Sequence, residues 1–118
     1  MGEDRLMQTM LLDFYGELLT EKQRRCLELH CNEDLSLSEI AEQCGISRQG
    51  VWDNIRRADA ALREMEEKTG LVRRFTETQQ GLNRLHVRLE RMRPLCGGEA
   101  AEELALALRE LDALMVRG

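Results

Sequence analysis

Several things are scarce in this chain. There is one proline, aromatics make up 3% of the 118 residues, and no apolar stretch approaches the ~20 residues needed to cross a bilayer. The start MGEDR is acidic and polar, unlike a signal peptide, so a cytoplasmic protein without membrane insertion is expected. Scarce proline and few β-branched runs favour helices over sheet. The four cysteines, Cys26, Cys31, Cys44 and Cys96, form no C-x-x-C pair and no arrangement with histidine, which argues against a zinc site. Cys26 and Cys44 read as small core residues, Cys31 and Cys96 as partly exposed, and reduced thiols are the default in a cytosol. A nucleotide-binding glycine loop, H-E-x-x-H and G-x-S-x-G are all missing. The paired acids Glu66-Glu67 and Glu102-Glu103 read as solvated helix faces, so neither catalytic residues nor a cofactor are expected.

Charge of the sign that grips phosphate is also short. The formal net charge is −5, from 17 Lys and Arg against 22 Asp and Glu, whereas affinity for nucleic acid is largely electrostatic. Residues 71–98 form the only positive segment, with 6 basic and 2 acidic side chains. Length and pattern together suggest one domain over 1–70 and a helical extension over 71–118.

What is present is organised around residues 35–58, LSLSEIAEQCGISRQGVWDNIRRA. Ser36 and Glu39 have the spacing of a capping box, which opens a short helix. Ile40, Ala41 and Cys44 form its inward face, and Gly45 supplies a left-handed turn. Ile46 anchors that turn in the core and Ser47 caps the next helix, on which Val51, Ile55 and Ala58 make one apolar stripe. The pattern is that of a helix-turn-helix, whose second helix turns its polar flank toward a DNA groove. The exposed candidates are Ser47, Arg48, Gln49, Trp52, Asp53, Asn54 and Arg56. Arg48 suits guanine or phosphate, Gln49 and Asn54 suit adenine, and Ser47, Arg56 and Arg57 suit phosphates. Asp53 is an exception, since a carboxylate facing phosphates repels them and helps only by accepting from a cytosine amine.

The segments LLTEKQ, DLSLSEIAE and SRQGVWDNI together resemble the YlxM-type family of small bacterial helix-turn-helix proteins, over roughly Leu6 to Leu71. The unit is similar in turn to region 4 of sigma factors. The resemblance implies a helix-turn-helix core without a wing, which together with the helical composition and patterning of the rest gives an all-α fold ending in a C-terminal helical hairpin. It also implies a regulatory protein that binds DNA, associated with the signal recognition particle pathway because the family's genes neighbour those of the particle. Many region 4 helices carry basic residues at the positions of Trp52 and Asn54, and this chain does not.

In the rest of the chain, Leu6, Met7, Met10, Leu11, Phe14, Tyr15 and Leu18 predict a first helix from about Asp4, with Phe14 and Tyr15 as anchors. Thr20 and Gln23 form a second capping box, opening a helix that carries Cys26, Leu27 and Leu29 to about Asn32; His30 lies on its surface or half-buried. The stripe Val51, Ile55, Ala58, Leu62, Met65, Thr69 extends the recognition helix as a rod to Gly70, outlasting its own core. A further seam of Leu71, Phe75, Thr78, Leu82, Leu85, Leu89 and Met92 crosses Gly81 and stops at Pro94 to Gly98, with His86 flanking the leucines. Ala101, Leu104, Leu108, Leu111 and Met115 then mark a last helix, antiparallel to the previous one.

The arginines of the earlier helix either pair with the acidic later helix or offer a surface for RNA or anionic protein. Two long stripes suggest a homodimer, which would set two recognition helices on half-sites one DNA turn apart. Two functional expectations follow. One is a DNA-binding regulator; the other is an adaptor that contacts signal recognition particle protein or RNA without specific DNA binding.

Overall fold

The structure is a computed structural model that describes residues 2–115, with side chains from Arg5 onward. Six α-helices follow one another: α1 (Gly2–Tyr15), α2 (Glu21–Cys31), α3 (Leu37–Cys44), α4 (Arg48–Thr69), α5 (Leu71–Met92) and α6 (Glu99–Leu114). Short 3-10 turns at Gly16–Leu18 and Arg93–Leu95 follow α1 and α5, and the described residues contain no strand. The fold is all-α, as expected. Contacts divide the chain into two compact units, Met1–Val72 and Arg73–Gly118.

Local chemistry explains where the helices of the first unit begin and end. Thr20 and Gln23 close a complete capping box at α2, and Ser36 and Glu39 do the same at α3. Gly45 has φ 68° and Gly70 φ 65°, left-handed values that a Cβ resists, so α3 and α4 stop at these two residues. Helices α1 to α4 share one core, built on Leu11, Leu12, Tyr15, Leu27, Ile40, Val51, Ile55 and Leu62, with Val72 joining it from the first turn of α5.

That core corrects two expectations. The far half of α4 does not outlast its packing: Leu62 is fully buried and Met65 lies against the same cluster. The rod is part of the domain because α1 runs along it, with Gln8 donating to Asp59 at 3.0 Å. In α1 the inward residues are Leu11, Leu12 and Tyr15, while Leu6, Met7 and Phe14, and Leu18 in the turn that follows, are exposed. Phe14 and Tyr15 are adjacent on a helix and therefore point about 100° apart, so only one of them enters the core.

In the second unit, Gln79 Nε2 donates to the Leu114 carbonyl at 3.3 Å, joining the early part of α5 to the end of α6, so the two helices run antiparallel. Leu104, Leu108 and Leu111 are buried as expected. The seam of α5 is rotated from the expected one. Phe75, Gln79, Leu82, His86 and Leu89 are half-buried, whereas Thr78, Leu85 and Met92 are exposed. A single partner helix covers one edge of an apolar stripe, and the other edge is left to solvent. His86 lies in the covered edge, 4.0 Å from Glu90.

Candidate nucleic-acid interface

Helix α4 is held from beneath by Val51, Ile55 and Ala58, which are all buried. Ile46 is half-buried and packs against the core, fixing the turn between α3 and α4. With its floor fixed, the first turns of α4 present the opposite side outward. Ser47 Oγ accepts the Gly50 N–H at 3.0 Å, capping the helix, and no acidic residue sits in its first turn. The positive end of the helix dipole is therefore unopposed by a side chain of its own.

Ser47, Arg48, Gln49 and Trp52 line a shallow groove together with Ser36, Leu37 and Ser38 from the start of α3. Trp52 is 48% exposed, a large apolar surface in contact with water among polar neighbours. The α3 residues were legible only as a helix start. Their place beside Arg48 depends on the crossing of α3 and α4, which a linear pattern does not convey.

The other expected residues differ in how free they are. Gln49 donates to Asp53 Oδ1 at 3.2 Å, and Arg56 lies 3.5 Å from the same oxygen. Asp53 is thus flanked on its own helix by an amide and a guanidinium. Asn54 is half-buried and donates to the Gly50 carbonyl at 2.9 Å, which commits one of its amide hydrogens to the backbone. Arg48 and Arg57 are exposed. Between Ser47 and Arg57 three arginines face one aspartate, a local positive balance within an acidic unit. Glu39 accepts at its capping box from the Ser36 N–H, and those hydrogen bonds hold its carboxyl below the usual carboxylate range.

Residues 2–95 match the family model described as "Putative helix-turn-helix protein, YlxM / p13 like". The chain belongs to the YlxM/p13-like helix-turn-helix family. Similar proteins include a UPF0122 protein of Geobacillus kaustophilus, 46% identical over 114 residues that cover 97% of this chain and 99% of the relative. Another, from Halalkalibacterium halodurans, is 40% identical over the same shares of both chains. A third, from a Thermoanaerobacter species, is 46% identical over 93 residues, 79% of this chain and 80% of its own. The YlxM/p13-like model thus extends past the helix-turn-helix through the whole of α5.

Among the described residues no group of histidine, cysteine and acidic side chains is placed to hold a metal ion. All four cysteines are free; Cys26 is buried and the other three are half-buried, Cys44 included. Burial pushes the Cys26 thiol up, with Cys44 beside it adding to the effect. No helix of the described residues is long and apolar enough to cross a membrane.

Proposed function

We propose that this protein is a regulatory DNA-binding protein that reads duplex DNA with the first turns of α4, acting in the cytoplasm. The observation that carries this reading is the exposed group Arg48, Gln49 and Trp52, set beside the start of α3 on a helix whose opposite side is pinned in the core. Arg48 and Gln49 are the base-reading residues, with Asn54 contributing through its remaining amide atoms. Ser47, Arg56 and Arg57 contact phosphates, and Trp52 packs on sugar or thymine methyl. Selection from a pool of random duplexes at low salt tests the reading. Recovery of a consensus is expected, with Arg48→Ala losing about 1–3 kcal/mol at one base pair of it. Failure to retard any duplex at 50 mM salt, about the lower limit of the usual range, would overturn it.

The division of labour follows from the charge and the apolar surface. Residues 1–70 serve as the reading domain and 71–118 as an extension for self-association. Leu71, Leu85 and Met92 lie at multiples of seven residues on one edge of α5 and are each more than 40% exposed, which suits a homodimer built on that edge. Sedimentation at micromolar concentration is expected to give twice the mass of the chain.

A second reading is favoured by Asp53 and by the acidic balance of the first unit. On it the protein is an adaptor for signal recognition particle protein or RNA, consistent with the association that the family resemblance implies. Pull-down from lysate, with DNase and RNase treatment in parallel, distinguishes the two. Loss of partners with DNase supports DNA reading, whereas nuclease-resistant capture of the particle supports the adaptor.

A further inference from the structure

Helix α5 carries a stripe that neither the core nor the proposed reading helix uses. Gln80, Asn83, Arg84, Val87, Arg88 and Arg91 line one open groove along it, and all six are exposed. Among the described residues none of the three arginines forms an ion pair, whereas several other cations of the chain pair along their own helices. Arg24 meets Glu28, Arg56 meets Asp53, Arg63 meets Asp59 and Lys68 meets Glu64. On α5, Glu90 is within 3.1 Å of Arg93 instead. Arg84 and Arg88 are four residues apart, and Arg88 and Arg91 three, spacings at which like charges on a helix repel one another. The last-turn position of Arg91 suits the helix dipole, but no acidic side chain offsets the repulsion within the row, and its guanidinium groups are left open to an external anion.

The charge distribution indicates which anion. Residues 1–72, which contain the whole helix-turn-helix, hold 9 Lys and Arg against 15 Asp and Glu. That unit is repelled by DNA except at the first turns of α4, yet non-specific affinity for a duplex comes almost entirely from cations on phosphates. Helix α5 holds 5 arginines against 2 glutamates. Arg84 to Arg91 spans about 10 Å of helix axis at 1.5 Å per residue, close to the length occupied by three successive phosphates of one strand at about 3.4 Å each. Guanidinium groups bind phosphate oxygens in pairs of hydrogen bonds, and the amides of Gln80 and Asn83 add neutral donors to the same row.

We infer that the Arg84–Arg88–Arg91 stripe of α5 is the chain's sequence-independent grip on the phosphate backbone of duplex DNA, supplying the affinity that the acidic reading unit lacks. This rests on the DNA-reading proposal above. The full chain and an Arg84→Gln/Arg88→Gln/Arg91→Gln variant are compared on a selected duplex and on a scrambled one, from 50 to 200 mM salt. All three sites are exposed, so unchanged circular dichroism is expected. The variant is expected to lose affinity equally for both duplexes. Its slope of log K against log salt should fall by nearly 3, so that affinity across this salt range drops about 40-fold less than in the parent chain.

Each other result overturns the inference in a distinguishable way. If the parent chain binds no duplex, the DNA-reading proposal falls and this one with it. If the parent binds and the variant keeps the same slope, the reading stands and the stripe is not its grip. If the variant keeps its DNA slope but loses binding to a duplex of RNA, the stripe serves RNA instead.

Discussion

The hydroxyl of Tyr15 donates to Glu66 Oε1 at 2.6 Å across 51 positions of sequence, and the same oxygen accepts the Val72 N–H at 3.0 Å. The Tyr15 ring is buried in the core, and its hydroxyl also meets that of Thr69. One carboxylate therefore joins α1 to the end of α4 and satisfies a backbone donor in the first turn of α5, where a negative charge is favoured by the helix dipole. Removing only the hydroxyl isolates this contribution. Tyr15→Phe is expected to lower stability by about 1.5–3 kcal/mol, the range for hydrogen bonds to charged groups, with an unchanged urea m-value. An unchanged midpoint would show that the link carries no net stability.

His30 gives the fold a pH dependence of definite sign. Burial lowers its pKa first, the Arg5 guanidinium lowers it further, and Asp34 opposes both. Arg5 donates to the His30 carbonyl at 2.7 Å and to Asp34 at 2.5 Å, so the positive charge is held beside the imidazole. The native state binds this proton less readily than the unfolded chain does. Stability is therefore unaffected by His30 above about pH 6.5 and declines as pH falls below it, until the native imidazole is protonated as well. Denaturation midpoints between pH 7.5 and 5.0 should fall with acidity, and His30→Gln should flatten the decline. A variant with the same slope as the parent would place the dependence elsewhere.

The parts of the fold that depend on neighbours in sequence were legible in the sequence. Both capping boxes, the glycine stops at Gly45 and Gly70, and the stripe Val51, Ile55, Ala58 are set by spacings of three and four residues, which a linear pattern contains. What failed depended on a partner helix. The α5 seam is rotated toward Gln79 and His86 because α6 covers one edge only, and no periodicity in α5 alone conveys which edge. The anchors of α1 shifted to Leu12 for the same reason. At the candidate site the residue types were readable, but the tie of Asn54 to Gly50 and the pairing of Gln49 and Arg56 with Asp53 belong to side-chain geometry.

The two caps of the helix-turn-helix are built differently. Ser36 takes part in a reciprocal pair with Glu39, at 3.1 Å and 3.0 Å, whereas Ser47 accepts a single bond from Gly50. Ser47→Ala is expected to cost about 1 kcal/mol, the ordinary value for losing an N-cap, and to impair binding of DNA further if its hydroxyl contacts phosphate. Ser36→Ala costs a similar amount, since it removes the hydroxyl but keeps the backbone N–H that Glu39 accepts; Glu39→Gln keeps an acceptor there and removes the charge, so its effect should be present at pH 7 and vanish once the Glu39 of the parent chain is protonated. Urea titrations at pH 7 and at about pH 2.5, below the lowered range of Glu39, separate the cases: an equal effect of Glu39→Gln at both pH values would show that the charge of Glu39 contributes nothing to the cap.

Asp53 provides the sharpest test of the proposed reading surface, because its charge and its hydrogen bonds can be separated. Asp53→Asn keeps an acceptor for Gln49 while removing the carboxylate that faces outward between Gln49 and Arg56. A unit charge about 7 Å from a phosphate in water costs roughly 0.6 kcal/mol, so its removal should raise affinity about threefold for any duplex at low salt. Arg56, released from its 3.5 Å contact, adds to that gain. The expected outcome is a uniform rise on selected and scrambled duplexes, measured by fluorescence anisotropy and diminishing as salt increases. A fall confined to one base pair of the selected site would mean that Asp53 itself accepts from a cytosine amine, moving it from a neighbour of the readers to one of them.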